Sequence, residues 1–218
     1  MVEPVVSVIM CVRDGAKYLI EALDSIANQN IEELETIIVD DGSVDNSVEI
    51  ASNHPLQSAI ISQQTLGIGA ALNRGLQAAK GRYLSFLDQD DVWASGSLGA
   101  KLAVMRNYTN LDFVFGKTVN TDDKLNRIAA PLPARLLAAM LIKRTSALNV
   151  GLFRTDITHA VIIDWNSRAA ILGLQFRMMD DVVLLRRIHG ENMGVRDRAR
   201  AQVDLLHVVR AHLNRKRQ

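Results

Sequence analysis

The sequence holds a single cysteine, Cys11, in 218 residues. That excludes an internal disulfide and any cysteine-built zinc site, and a reduced thiol fits a cytoplasmic setting. An excess of positive charge is also missing. Twenty-five basic residues stand against 24 acidic ones, a formal net charge of +1, so the chain has no basic surplus for bulk nucleic-acid binding. No apolar run approaches the roughly 18 residues that a membrane span needs. Met1-Val2-Glu3-Pro4 lacks a basic n-region, and the run Val5–Val12 is interrupted by Ser7 and stopped by Arg13, which argues against a secretory signal. Prolines number four, and no segment is low-complexity or repeated. What remains is a chain 48% apolar, long enough for one domain with its own core.

The first half alternates short apolar runs with helical patterns. Val5–Cys11, Glu35–Val39, Ser58–Ile61 and Arg82–Leu87 read as strands. Between them, Lys17–Asn28, the stretch through Val48 and Ile50, and Gly69–Lys80 read as helices. Asp45 or Asn46 can cap the second, and Gly81 closes the third. This alternation predicts a mainly parallel α/β sheet with helices on both faces. In such sheets ligands sit beyond the carboxyl ends of the strands. Three strands end there in acidic or polar turns, at Arg13-Asp14, Asp40-Asp41 and Asp88/Asp90/Asp91. The second half is less regular. Leu111–Val119 reads as a strand, Ala134–Leu141 and Asp164–Leu172 as helices, and Phe176–Met179 and Val182–Ile188 as extended. Ala199–Leu213 is amphipathic, with Val203, Leu206, Val209 and Leu213 on one face and a basic end at Arg210, Arg215, Lys216 and Arg217. That end suits a solvated helix terminus, or at most peripheral contact with an anionic membrane surface.

Asp88-Gln89-Asp90 is the strongest chemical feature. Side chains at i and i+2 of an extended segment point the same way, and two carboxylates so placed can hold Mg²⁺ or Mn²⁺ beside phosphate oxygens. An acidic turn capping the next helix is the competing reading. Asp40-Asp41-Gly42-Ser43 can accept a hydrogen bond from a base or sugar, or form an Asx turn. Gly67-Ile68-Gly69 leads into a helix, but Leu72 stands where a dinucleotide fingerprint needs glycine and no Gly-Lys-Ser/Thr follows, which excludes Rossmann-cofactor and Walker readings. Asp164 lies between apolar neighbours, a setting for a general base or a helix cap. His189 enters a glycine turn as a possible ligand or a structural histidine. Trp93 and Trp165 each follow an acidic site and serve either as apolar walls of a sugar site or as core.

In order, these motifs resemble the family 2 glycosyltransferases of the GT-A fold. The resemblance rests on Val6–Met10, Val39-Asp40-Asp41-Gly42-Ser43, Gly67–Gly75 with Asn73-Arg74-Gly75, Gly81–Asp91, Asp164-Trp165 and Arg187-Ile188-His189-Gly190-Glu191-Asn192, and it covers nearly the whole chain. It implies a nucleotide-binding half (1–110), an acceptor-side half (111–198) and a C-terminal helix (199–218). It further implies transfer of a sugar from a nucleoside diphosphate, with uridine expected as the nucleoside, and an Mn²⁺ or Mg²⁺ cofactor. By position, Cys11, Arg13, Asp41, Gly67, Asn73, Asp88, Gln89 and His189 fall at the nucleotide-sugar site. Asp88, Asp90 and His189 fall at the metal, and Asp164 at the base that deprotonates an acceptor hydroxyl with inversion. The acceptor is a carbohydrate, lipid-linked or peptide group, and a homodimer is compatible.

The chain departs from the family pattern at Arg13, which stands where relatives often place an aromatic, and at Ile163, where they often carry a second acid. The resemblance implies a non-processive enzyme, cytoplasmic or at the inner face of a membrane. Two other readings compete. Asp88-Gln89-Asp90-Asp91-Val92 fits the motif of haloacid-dehalogenase-type phosphatases, with Asp180-Asp181 as their later acidic pair. Arg13 and Ile163 suit a nucleotide- or sugar-binding module without turnover.

Overall fold

The structure is a computed structural model describing residues 4–192 and 197–215. The element order is β1 (Val6–Val12), α1 (Leu19–Ala27), β2 (Leu34–Asp40), α2 (Ser47–Asn53), β3 (Ala59–Ser62), α3 (Ile68–Ala78), β4 (Tyr83–Phe86), β5 (Val92–Trp93), α4 (Ser97–Asn107) and β6 (Phe113–Thr121). It continues with β7 (Leu132–Pro133), a 3-10 turn (Leu137–Ala139), β8 (Met140–Lys143), α5 (Arg144–Val150), α6 (Val161–Ile171), β9 (Phe176–Arg187) and α7 (Arg198–Arg215). One sheet runs in the order β3-β2-β1-β4-β8-β6-β9-β5. β3, β2, β1 and β4 are parallel, as expected. β8 is antiparallel to both neighbours, whereas β6 and β9 run parallel to each other.

Residue alternation along β1 builds the two layers. Val6, Val8, Met10 and Val12 face a core shared with Leu19, Leu23 and Ile26 of α1 and Leu98, Leu102 and Met105 of α4. Ile9 faces the opposite core, filled by Ala71, Leu72 and Leu76 of α3 with Val161, Trp165 and Ala169 of α6. A strand with both faces covered reads as a continuous apolar run, as this one does.

The second half corrects the sequence reading in several places. Ala134–Leu141 is not a helix but a 3-10 turn leading into β8. The two extended pieces after Phe176 are one strand, β9, whose register against β6 shifts at Lys117. Trp93 and Trp165 are core residues, at 2% and 1% exposure. Their indole N–H groups donate to the backbone oxygens of Ala138 at 2.7 Å and Gly151 at 3.0 Å, so neither ring is a wall for a sugar.

The C-terminal helix docks by its polar face. Asp204 accepts from the backbone N–H groups of Thr158 and His159 at 2.8 and 2.9 Å, just ahead of α6, whose first turn has N–H groups without intrahelical partners. His212 Nδ1 and Ser167 Oγ are 2.6 Å apart, and Val208 is buried. Val203, Leu206, Val209 and Leu213 do share a face, but it points to solvent at 51, 69, 48 and 51% exposure. Arg215 of the predicted basic end turns inward to Asp164. Lys216 and Arg217 lie outside the described residues.

Candidate functional site

The carboxyl ends of β1, β2 and β4 lie side by side in the parallel sheet, with Cys11 paired to Val39 and Val12 to Asp40. Cys11 sits between the two acidic turns. Burial first, then Asp88 and Asp41, push its thiol far up, which favours the protonated form. Asp41 is 5% exposed. Its Oδ1 accepts from Gln63 Nε2 at 2.7 Å and Leu66 N at 2.8 Å, and its Oδ2 from Gly67 N at 2.9 Å. Gly67 takes a φ of +88°, which a Cβ would strain, and this turns its N–H toward the carboxylate ahead of α3.

Asp88 retains contact with solvent. Even so, the protein gathered around it pushes its carboxyl up to about 6, with Asp90 adding to the rise and Arg186 opposing it. Asp90 Oδ2 meets His189 Nε2 at 2.9 Å and Asn192 Nδ2 at 3.0 Å. Asn192 Oδ1 also accepts from the His189 backbone N–H at 2.7 Å. With Nε2 on the carboxylate, His189 Nδ1 is buried without a partner. Among the described residues, no three His, Cys, Asp or Glu side chains converge as a ready metal cage. Asp88, Asp90 and His189 therefore do not form the assembled triad expected from the sequence. Only Asp90 and His189 touch, because Asp90 is drawn to the His189–Asn192 turn.

Three further predicted residues are engaged within the protein. Gln89 Oε1 accepts from Arg13 N at 2.8 Å, and its Nε2 donates to Arg13 O at 3.0 Å. The Gln89 amide thus clamps the β1 turn to the Asp88–Asp91 loop, leaving the Arg13 side chain exposed. Asn73 donates to Phe153 O at 2.9 Å and accepts from Phe153 N at 2.7 Å, which pins the 151–154 loop onto α3. Gly69 allows that approach, since a Cβ there would stand 2.1 Å from Arg154 O.

Asp164 departs most from expectation. It lies in the first turn of α6 at 0% exposure. Arg168 Nε donates to it at 2.9 Å and Arg215 Nη1 at 3.1 Å, and Arg154 Nη1 stands at 3.9 Å. Guanidinium groups, not the apolar neighbours expected, surround its carboxylate, and no solvent path reaches it.

Two residues that lay within the sequence motifs without a role of their own hold the site together. Arg187 is 1% exposed. Its Nε donates to Asp90 O at 3.0 Å, its Nη2 to Glu21 Oε2 at 2.6 Å and its Nη1 to Asp123 O. The guanidinium also lies 4.4 Å over the Tyr18 ring. Asp91 accepts from the Arg187 backbone N–H at 2.9 Å. Burial first, then Asp88 and Asp90, hold the Asp91 carboxyl well above its ordinary range, against that hydrogen bond and Arg186. Asp91 stood in the acidic turn and Arg187 ahead of His189, but nothing local marked them as partners.

Residues 7–158 match the family described as glycosyl transferase family 2. Chondroitin synthase of Escherichia coli is 30% identical over 210 residues, covering 88% of this chain and 30% of that protein. An uncharacterized glycosyltransferase of Rickettsia prowazekii is 34% identical over 111 residues, covering 51% of this chain and 35% of its own length. The chain thus spans about a third of these relatives. Among solved structures, a Pyrobaculum calidifontis mannosyltransferase in complex with GDP-Man and Mn²⁺ superposes with a TM-score of 0.77 at 20% identity, covering 98% of this chain and 65% of that one. S. aureus TarS 1-349 in complex with UDP gives 0.76 at 21% identity, covering 95% and 64%. At this identity the likeness establishes the GT-A fold.

Proposed function

Given that the chain belongs to glycosyl transferase family 2, we propose that it moves a sugar from a nucleoside diphosphate donor to an acceptor hydroxyl. The observation that carries this reading is the gathering of Asp41, Asp88 and Asp90 at one edge of a parallel sheet. Burial first, and Asp90 second, raise the Asp88 carboxyl there, and a cation or a donor-rich ligand relieves that cost.

The donor set suits a hard divalent cation, Mn²⁺ or Mg²⁺. Asp88 and Asp90 offer carboxylate oxygens, and His189 presents to Asp90 the ring nitrogen Nε2, which would have to exchange the carboxylate for the ion. When bound, such an ion neutralises the charge of a departing diphosphate. The protein's own groups do the rest. Asp41, held by the 63–67 loop, offers its remaining lone pair to the base. Arg13, whose side chain is exposed, carries a guanidinium plane on which a base can stack. The Gln89 clamp and Arg187 hold the acidic loop in place. By its place in the motif Asp164 takes the acceptor proton, a role that requires Arg215 and also Arg168 to release its carboxylate, and attack from the face opposite the leaving group inverts the anomeric centre. The acceptor is a carbohydrate, lipid-linked or peptide hydroxyl, used once per encounter.

Calorimetric titration of nucleoside diphosphates with and without Mn²⁺ tests this reading. Micromolar binding that needs Mn²⁺ and disappears in Asp90→Ala supports it. No binding by a folded protein sinks it. A nucleotide-binding module without turnover is the second reading, favoured by the sealed Asp164. It would bind donor yet release no sugar to any acceptor or to water.

A further inference from the structure

This inference rests on Asp41 as the base-reading carboxylate, and it names the base. Gln63 follows β3, and its backbone N–H donates to Asp40 O at 2.9 Å. Its side-chain Nε2 donates to Asp41 Oδ1 at 2.7 Å. The amide has one workable orientation, because the reverse would set Oε1 against a carboxylate oxygen. Gln63 Oε1 is therefore fixed as an acceptor, and it is buried with no partner.

A carboxylate oxygen carries two lone pairs. Leu66 N and Gln63 Nε2 fill both on Asp41 Oδ1, while Gly67 N fills one on Oδ2. What remains is one lone pair on Asp41 Oδ2 and the whole of Gln63 Oε1, on two side chains bonded to each other. Both vacancies are acceptors, and only N–H or O–H donors can fill them. An unanswered buried acceptor is costly, so a ligand that answers it gains affinity and one that opposes it loses.

We propose that Gln63 selects guanine, which makes the donor a guanosine diphosphate sugar. The guanine edge offers N1–H and N2–H₂ as adjacent donors, one for each acceptor. Uracil offers a single N3–H between two carbonyl oxygens, and one of these would face Gln63 Oε1. Cytosine and adenine set a ring-nitrogen acceptor beside their amino group. This departs from the uridine expectation drawn from the family pattern, and nucleotide titration decides between them.

The test is calorimetric titration of GDP, IDP, UDP, CDP and ADP, all with Mn²⁺, into the full chain and into Gln63→Met. GDP is expected to bind at least about tenfold tighter than UDP, CDP and ADP, one hydrogen bond's worth of discrimination. IDP lacks only the N2 amino group and is expected to bind about tenfold more weakly than GDP. This arm needs no variant, so it stands even where Gln63→Met does not fold. In Gln63→Met the ratio of GDP to UDP affinity is expected to fall to within about threefold of one. Equal binding of GDP and UDP, or a uridine preference, overturns the inference and leaves the donor site intact. So does a Gln63→Met variant that weakens every nucleotide equally, since Gln63 would then only position Asp41. If no nucleotide binds to folded protein, the donor-site reading falls and this inference falls with it.

Discussion

Arg187 holds the backbone of Asp90 from its side chain, with Nε donating to Asp90 O at 3.0 Å. Its own backbone N–H donates to Asp91 at 2.9 Å. The last residue of β9 thereby sets the course of a loop 97 positions earlier. Arg187→Met is expected to cost about 3 kcal/mol, because it leaves buried backbone acceptors without their charged donor. Urea denaturation reads that loss. Mn²⁺-dependent nucleotide binding in the folded fraction should weaken too. Unchanged binding would show that the loop holds its shape without Arg187.

The Asp164–Arg215 contact decides whether the sealed carboxylate is a base. If the helix must withdraw, Arg215→Ala raises transfer rate at saturating acceptor. Asp164→Asn then lowers kcat by about 100-fold or more, the usual worth of a general base. If both variants lose stability and keep kcat per folded molecule, Asp164 is only the junction between α6 and α7.

Lys101 makes stability depend on pH. Its ammonium is fully buried, 4.5 Å over the Trp93 ring and 3.5 Å from Ser85 Oγ. Burial pushes its pKa down to about 7, whereas the unfolded chain keeps it near 10.5. Between these values the unfolded state binds more protons, so stability rises with pH, by up to about 1.4 kcal/mol per unit. The full cost of burying the charge is present below pH 7 and is relieved as pH climbs toward 10. Denaturant unfolding from pH 6.5 to 9.5 should therefore show a rise that Lys101→Met removes. A slope that survives the substitution assigns it to another group.

Asn73→Ala is expected to cost about 2 kcal/mol, since it strands the buried Phe153 N–H and C=O. The 151–154 loop should then exchange its amide hydrogens faster, with Phe153 affected first. Hydrogen-exchange mass spectrometry reads this directly. Unchanged protection at Phe153 would mean that packing against α3 suffices.

The βα alternation through Phe86 was legible because each strand there is a short apolar run closed by a polar turn. A parallel strand covered on both faces leaves that signature whatever its neighbours do. The second half was not legible for the converse reason. Met140–Lys143 is too short an apolar run to separate strand from helix, and only its antiparallel pairing with β4 and β6 decides the matter. The outward face of α7 misled in the same way. Periodicity reported an apolar stripe, but Asp204, His212 and Arg215 supply the docking bonds.

At the site, the sequence by itself determined which acids arrive at the sheet edge, since strand ends and turn residues are local properties. Only the tertiary structure decided which lone pairs those acids have left. Gln89 and Asn73 look like ligand residues in a line of letters, yet their amides close on Arg13 and Phe153. Asp164 looks like a base and is met by arginines from α6, α7 and the 151–156 loop. A hydrogen-bonding group serves whichever partner the fold brings within about 3 Å, and that partner is set by chain segments far away in sequence.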